Sequence, residues 1–384
     1  MKDLKPKKES KRTEENFEVL EIVDISGATV RSSKKNVAFK ESALFQASKE
    51  IRNANDFLDV VDEYRRFTYG NEEAKRLTNE AVAYARRRKQ YKRLDCSLID
   101  EINDAVLKSY NRMQATPNDE EAVKEFSRLN EQRKRLVARR DTLKNELAIE
   151  AERWRSRRQE IEAFWNLLFP AQNENLFFEQ PVIDDWRSIF RAEGEKRGQA
   201  QEFEEIAKEV LGVYNKIRSA FANLTTPEVP FLLFADLLDS RGAYLDDIGA
   251  IMISDRLTGN QLRATFAYEI GHWLELRCWG YEAATKNTKW LETTLKEDIS
   301  VKSFKKYVDL DEKEAPTTLW RIDGYSARVY AELEIPGSST QKYQPSEVIS
   351  TAFEGLLDDP EAFARAAPEH FNLLLKLLKG ETSQ

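Results

Sequence analysis

From about residue 41 onward, apolar residues recur three and four positions apart, the period of an amphipathic helix. SALFQASKEIRNANDFLDVVDEYRRF (42–67) and EEAKRLTNEAVAYARRRKQYKRL (72–94) both follow this period, with Gly70-Asn71 as the break between them. SLIDEINDAVLKSYNRMQ (97–114) predicts a third helix, with Ser97 as N-cap and Asp100 three residues on. TPND (116–119) interrupts, and a long helix free of Gly and Pro is expected from about 119 to 168. Leu147, Ala151, Trp154, Ile161, Trp165 and Leu168 form a heptad-spaced seam on it, weakened by Arg158. Leu129, Leu136 and Leu143 form a second seam, offset in phase. The pattern predicts an antiparallel helical hairpin or bundle, with a parallel coiled-coil homo-oligomer as the competing arrangement.

Pro170 ends this run, and a further helical stretch is expected over about 183–222. The texture then changes. In PEVPFLLFADLLDSRGAYLDDIGAIMISDRLTG, Pro and Gly punctuate short apolar runs, and FLLF and GAIMISD read as strands. FEVLEIVDISGATV (17–30) reads as a short strand or hairpin arm. The expected organisation is a basic, disordered tail (1–16), a helical and coiled-coil region (17–225) and a compact domain with a small sheet (226–384). The fold class is α+β, predominantly helical.

Composition narrows the function classes. The 384 residues are 41% hydrophobic and 33% charged, which suits long solvated helices more than one large core. The net charge of −7 does not mark the whole chain as a nucleic-acid binder. The densest basic run, ARRRKQYKR, offers Arg86, Arg87, Arg88, Lys89, Lys92 and Arg93 as candidate phosphate contacts, against the plainer reading of a solvated helix face. Cys96 and Cys278 are far apart in sequence, which suits a reducing cytoplasm. No apolar run approaches a membrane span, and the basic N-terminus lacks the apolar core of a secretory signal. Trp273, Trp279, Trp290 and Trp320 fall in the C-terminal part, as core aromatics or as a peptide-binding groove.

One stretch carries chemistry. In TFAYEIGHWLE (265–275), positions 268 and 272 project from one helix face a turn apart. Two histidines so placed bind zinc, and the Glu after the first acts as general base on the metal-bound water. Here Tyr268 occupies the first position, His272 the second and Glu269 the base position. Only two histidines exist in the chain, and the other, His370 in PEHF, reads as structural.

GAIMISDRLTGNQLRATFAYEIGHWLE resembles the strand-loop-helix core of a zincin-like, gluzincin-type metallopeptidase domain. The continuation resembles the C-terminal part of such domains in phage or prophage minor head (head-morphogenesis) proteins. Tyr325, Tyr330, Ser346-Glu347-Val348, Asp359-Pro360 and Pro368-Glu369 carry that likeness. It covers roughly residues 228–380. The resemblance implies Glu347 as third ligand, with position 268 and His272 as the others and Glu269 as base.

Tyr268 departs from the pattern. A phenol loses its proton only near pH ~10, and phenolate suits trivalent iron better than zinc. Three outcomes stay open. The site lacks a metal, with Tyr268 filling it and hydrogen-bonding Glu347 or Glu269; or it binds a metal through Tyr268, His272 and Glu347; or the motif is incidental helix core. In the first case Arg321 or Arg328 could partner Glu269. The first outcome makes the protein a non-catalytic structural or interaction module with no cofactor, cytoplasmic or virion-associated, whose partners are proteins met through the long helices and the zincin-like domain. The second makes it a zinc metallopeptidase.

Overall fold

The computed structural model describes residues 20–23, 29–32, 50–93, 99–116, 119–154, 158–237, 241–298, 314–316, 328–330, 333–335, 338, 340–343 and 346–381. An antiparallel pair, β1 (Leu20–Val23) and β2 (Thr29–Ser32), comes first. Helix α1 (Ala54–Tyr69) starts where the Asn53 side chain accepts from the Asn55 and Asp56 amides, and it ends at Gly70, whose φ of 83° closes the turn. Helices α2 (Asn71–Arg93), α3 (Ile99–Ala115) and α4 (Glu120–Trp154) follow. The expected N-cap Ser97 lies outside the described residues.

Helix α4 has 35 residues, so it is about 50 Å long. It forms a hairpin with α3, in which the Tyr110 and Phe126 rings meet at 5.6 Å. It also lies along α2. Leu129 and Leu143 of the expected seam are buried within this three-helix extension. Helix α5 (Arg158–Leu168) continues the expected long helix, with residues 155–157 outside the description. Its Phe164, Trp165 and Leu168 are buried in the main core rather than offered to a coiled-coil partner.

The single helical stretch expected over 183–222 is two helices, α6 (Gln180–Glu195) and α7 (Ala200–Ala220), packed on each other. Gly198, at φ 69°, makes the reversal, and the missing Cβ of Gly194 lets Gln199 O approach that position to 2.8 Å. Then comes a three-stranded sheet in the order β3-β5-β4: β3 (Phe231–Ala235), β4 (Gly242–Leu245) and β5 (Ala250–Ser254). β3 and β5 are parallel, and β4 is the antiparallel edge. Helix α8 (Gly259–Leu274) carries the YEIGH stretch and runs into a π-helical turn, Glu275–Trp279. Helix α9 (Gly280–Asp298) and the short pairs β6 (Glu314–Pro316) with β7 (Arg328–Tyr330) and β8 (Leu333–Glu334) with β9 (Lys342–Tyr343) follow. Helices α10 (Val348–Asp358), α11 (Pro360–Ala366) and α12 (Pro368–Leu378) close the chain. Pro360 and Pro368 stand in the first turns of α11 and α12, where no amide hydrogen is needed, and Asp359 caps α11 through the Ala362 amide at 2.9 Å.

One hydrophobic core runs from Ile51, just before α1, to Leu378 at the end of α12. Leu224 and Leu232, on either side of the expected boundary near 225, belong to the same core. Trp273 is buried at its centre, and Trp279 and Trp290 pack against it. The remaining tryptophan of that group, Trp320, lies outside the described residues. No helix among the described residues is long and apolar enough to cross a membrane.

A buried ionic cluster locks the two ends of the chain together. Arg65 of α1 is fully buried, pairing with Glu160 of α5 at 2.8 Å and with Glu361 of α11 at 2.5 Å. Burying these charges is costly, and the geometry compensates only while all partners remain. Arg65→Leu would remove from the core the guanidinium that Glu160 and Glu361 share, leaving Glu361 with Arg365 at 2.9 Å. We expect it to lose about 3–5 kcal/mol in urea unfolding; a loss below about 1 kcal/mol would show the cluster to be incidental.

Candidate functional site

Each side chain of the YEIGH stretch is placed by a different neighbour. Helix α8 packs on α10 at Gly271, where a Cβ would stand 2.9 Å from Ser350 Cα. Only glycine allows that approach. It brings Glu347, the residue preceding α10, under the Tyr268 and His272 face. From the other side, edge strand β4 lies over α8 at Gly242, where a Cβ would meet Glu269 Oε1 at 2.7 Å and Thr265 Cγ2 at 2.8 Å. Behind the helix, Tyr214 of α7 donates its hydroxyl to the Ala267 carbonyl at 2.6 Å. The helix is thus pinned by α7, α10 and the sheet edge.

Tyr268, His272 and Glu347 converge. The Tyr268 hydroxyl donates to Glu347 Oε2. His272 Nε2 lies 3.1 Å from the same oxygen, and Ser350 Oγ donates to it at 3.2 Å. The Tyr268 and His272 rings meet edge to face at 4.8 Å. Tyr268 and Glu347 are buried, whereas the His272 side chain keeps 19% of its surface exposed and is the site's contact with solvent.

Burial dominates the electrostatics. It pushes the Glu347 carboxyl up to about 8, against the opposing pull of Ser350 and of the Arg241 charge. It pushes His272 down to about 4. At neutral pH the His272–Glu347 contact is therefore a hydrogen bond between uncharged groups rather than an ion pair. Glu269 is likewise pushed up to about 8 by burial, against Arg241 and the Tyr244 amide of β4. The cation acting on Glu269 and Glu347 is thus Arg241, exposed at the start of the edge strand. Arg321 and the side chain of Arg328, the partners expected from sequence, lie outside the description.

Sequence reasoning missed four parts of this site. Arg241 and Gly242 belong to a segment without a motif, and Ser350 lies three residues beyond the motif residue Glu347. Glu275 follows α8 on the π-helical turn, is 1% exposed and accepts from Asn287 Nδ2 at 2.8 Å. Burial pushes it up to about 7, with the Asn287 bond opposing. A Glu one turn beyond His272 was the only available signal. The hydroxyls of Thr265 and Ser346 are also buried here and find no protein partner.

The other candidates lie apart. His370 is 2% exposed and bonds through Nε2 to the Val348 carbonyl, holding α12 against the start of α10. Arg88 of the basic run is not a free phosphate contact. It is 18% exposed and pairs with Asp358 of α10 at 2.5 Å; Arg263 of α8 holds the other Asp358 oxygen at 2.8 Å. The run turns one arginine inward because α2 packs along α11 and the end of α10. Arg86 is exposed and Arg87 half-buried, while the side chains of Lys89, Lys92 and Arg93 lie outside the description. Among the described residues no cluster of three or more His, Cys, Asp or Glu could hold a metal; the converging trio counts a tyrosine among its members.

Comparison with protein families, with curated proteins and with solved structures finds no match. The geometry above therefore carries the functional argument.

Two outcomes follow. Gly271→Ala should destabilise the fold by about 1–3 kcal/mol, because the neighbour it meets is backbone; an unchanged unfolding midpoint would show that α8 and α10 can separate freely. The second concerns pH. Folded Glu275 keeps its proton up to about 7, while the unfolded carboxyl releases it near 4.5. Between these values the folded state holds the extra proton, so this group lowers stability as pH rises through the window. Glu275→Gln should flatten the fall in urea midpoint between pH 4.5 and 7; parallel curves for variant and wild type would contradict the assignment.

Proposed function

We propose that this protein is a degenerate zincin-like module, non-catalytic, that serves as a structural or protein-interaction element. The observation that carries the reading is the Tyr268 hydroxyl bonded to Glu347, with His272 on the same carboxyl oxygen. A catalytic zinc takes three protein ligands and an open position. Of the three groups here, only the neutral imidazole of His272 is ready to ligate. The carboxyl holds its proton to about 8, and the phenol uses its oxygen as a donor to that carboxyl. This donor set does not fit zinc at neutral pH, so no hydrolytic step is derived through a metal. The trio instead acts as a polar strut: it ties α8 to α10 beneath the sheet and satisfies buried groups that would otherwise be costly. The resemblance of this stretch to phage and prophage minor head proteins suggests a head-associated setting, in which the long helices α3 and α4 make the assembly contacts.

The second reading is an active metallopeptidase with a Tyr268, His272 and Glu347 metal site and Glu269 as base. The convergence of the three ligand positions, with Glu269 next to Tyr268 on the same helix, supports it. Metal stoichiometry separates the two readings. Protein purified from zinc-supplemented cells should carry well under one zinc per chain by mass spectrometry, and Tyr268→His should approach one. Stoichiometric zinc in the wild type would overturn the non-catalytic reading. No gain in the variant would show that the ligand geometry is absent.

A further inference from the structure

Among the described residues, strand β3 is an open edge of its sheet. In its parallel pairing with β5, the Phe231 amide donates to Gly249 O and the Ala235 carbonyl accepts from the Asp255 amide. Residues 231, 233 and 235 therefore turn their peptide groups toward β5, and Leu232 and Phe234 turn theirs outward. Among the described residues, β3 has no strand on that side. The strand, FLLFA, contains no charge, no proline and no bulge, the devices that normally keep an edge from pairing. On the sheet face away from the core, Phe231 is 73% and Leu233 49% exposed. Large apolar side chains so exposed along an open edge mark an association surface.

We propose that β3 pairs with β3 of a second copy of this chain, antiparallel about a two-fold axis through Leu233. The register follows from the backbone. Centring on Leu233 sets Leu232 opposite Phe234 of the second copy, and Phe234 opposite its Leu232. Both residues carry outward peptide groups, so these are hydrogen-bonded pairs that exchange both bonds. Leu233 then faces its own counterpart in the closer, non-hydrogen-bonded position, and Phe231 covers Ala235 of the other copy. A centre at Leu232 would set Phe234 opposite Pro230, which has no amide hydrogen, and a centre at Phe234 would set Leu232 opposite Asp236, beyond the end of β3. In an antiparallel pair the N-terminal end of one strand runs beside the C-terminal end of the other. The exposed Glu228 of one copy thus comes to the end of β3 of the other, where Asp236 is already paired with Arg256 at 2.6 Å and sets no uncompensated charge against it. Pro227 and Pro230 stop the ladder from lengthening, so the pairing is short and the dimer reversible. A two-fold interface of this kind closes on itself and forms no fibre.

The test uses the full chain in solution. Sedimentation velocity over a concentration series should show a reversible species of twice the 44.5 kDa chain mass. Leu233→Lys sets two ammonium groups face to face at the axis and should raise the dimer dissociation constant at least tenfold, with an unchanged circular-dichroism melt because Leu233 is half-exposed. For register, Leu233→Cys should cross-link under mild oxidation at least tenfold faster than Ile248→Cys, which is exposed but off the edge, and reductant should reverse the link. A wild type that stays monomeric, a Leu233→Lys variant that dimerises like the wild type, or equal cross-linking rates would each overturn the proposal. A dimer held through the long helices would give either of the last two results.

Discussion

The close approach of α8 and α10 at Gly271 is the constraint on which the site depends. Any side chain there would meet the backbone of α10 and displace it. With the glycine, the start of α10 comes under α8, and Glu347 reaches the face carrying Tyr268 and His272. Gly242 plays the matching part on the other side, letting the sheet edge settle over Glu269. Two absent side chains thus decide where Tyr268, His272 and Glu347 meet and where Glu269 is held. Tyr268 and Glu347 are then buried against each other, and burial keeps the carboxyls protonated and the imidazole neutral.

The long helical part is held to this centre by charge as well as by packing. Arg65 joins α1 to α5 and α11 inside the core, and Arg88 with Arg263 gathers α2 and α8 around Asp358. Arg263 also holds Glu209 of α7 at 2.7 Å. A chain that is one-third charged therefore uses part of that charge as internal fasteners, while the rest solvates the extension formed by α2, α3 and α4. Because α1, α5, α7 and α10 share one core, the N-terminal and C-terminal halves are not separable layers.

Much of the helical order was legible in the sequence, because amphipathic periodicity is local. The break between α1 and α2 at Gly70-Asn71, the helix opening at Glu347 and the strands around FLLF and AIMIS were legible too, from glycine, proline and short apolar runs. The break between α6 and α7 was not legible: RGQA shows no proline, and the reversal at Gly198 depends on α6 and α7 finding each other. Strand β4 was missed because GAYL is short and half-buried, and only its pairing with β5 makes it a strand. The inward turn of Arg88 was equally hidden, since a basic run looks the same whether one member meets solvent or a carboxylate from a distant helix.

The spacing of Tyr268, Glu269 and His272 on one helix face is a property of the α-helix, so the residues themselves settled it. Their chemistry was not settled there. Whether the phenol would face a carboxylate, a cation or empty space depends on Glu347, 79 positions away, and on two glycines that admit its helix and the sheet edge. Proton affinities shift with burial, and burial is a property of packing among distant segments. Local periodicity writes the elements into the chain, but the ionisation of a buried group is written only when those elements close around it.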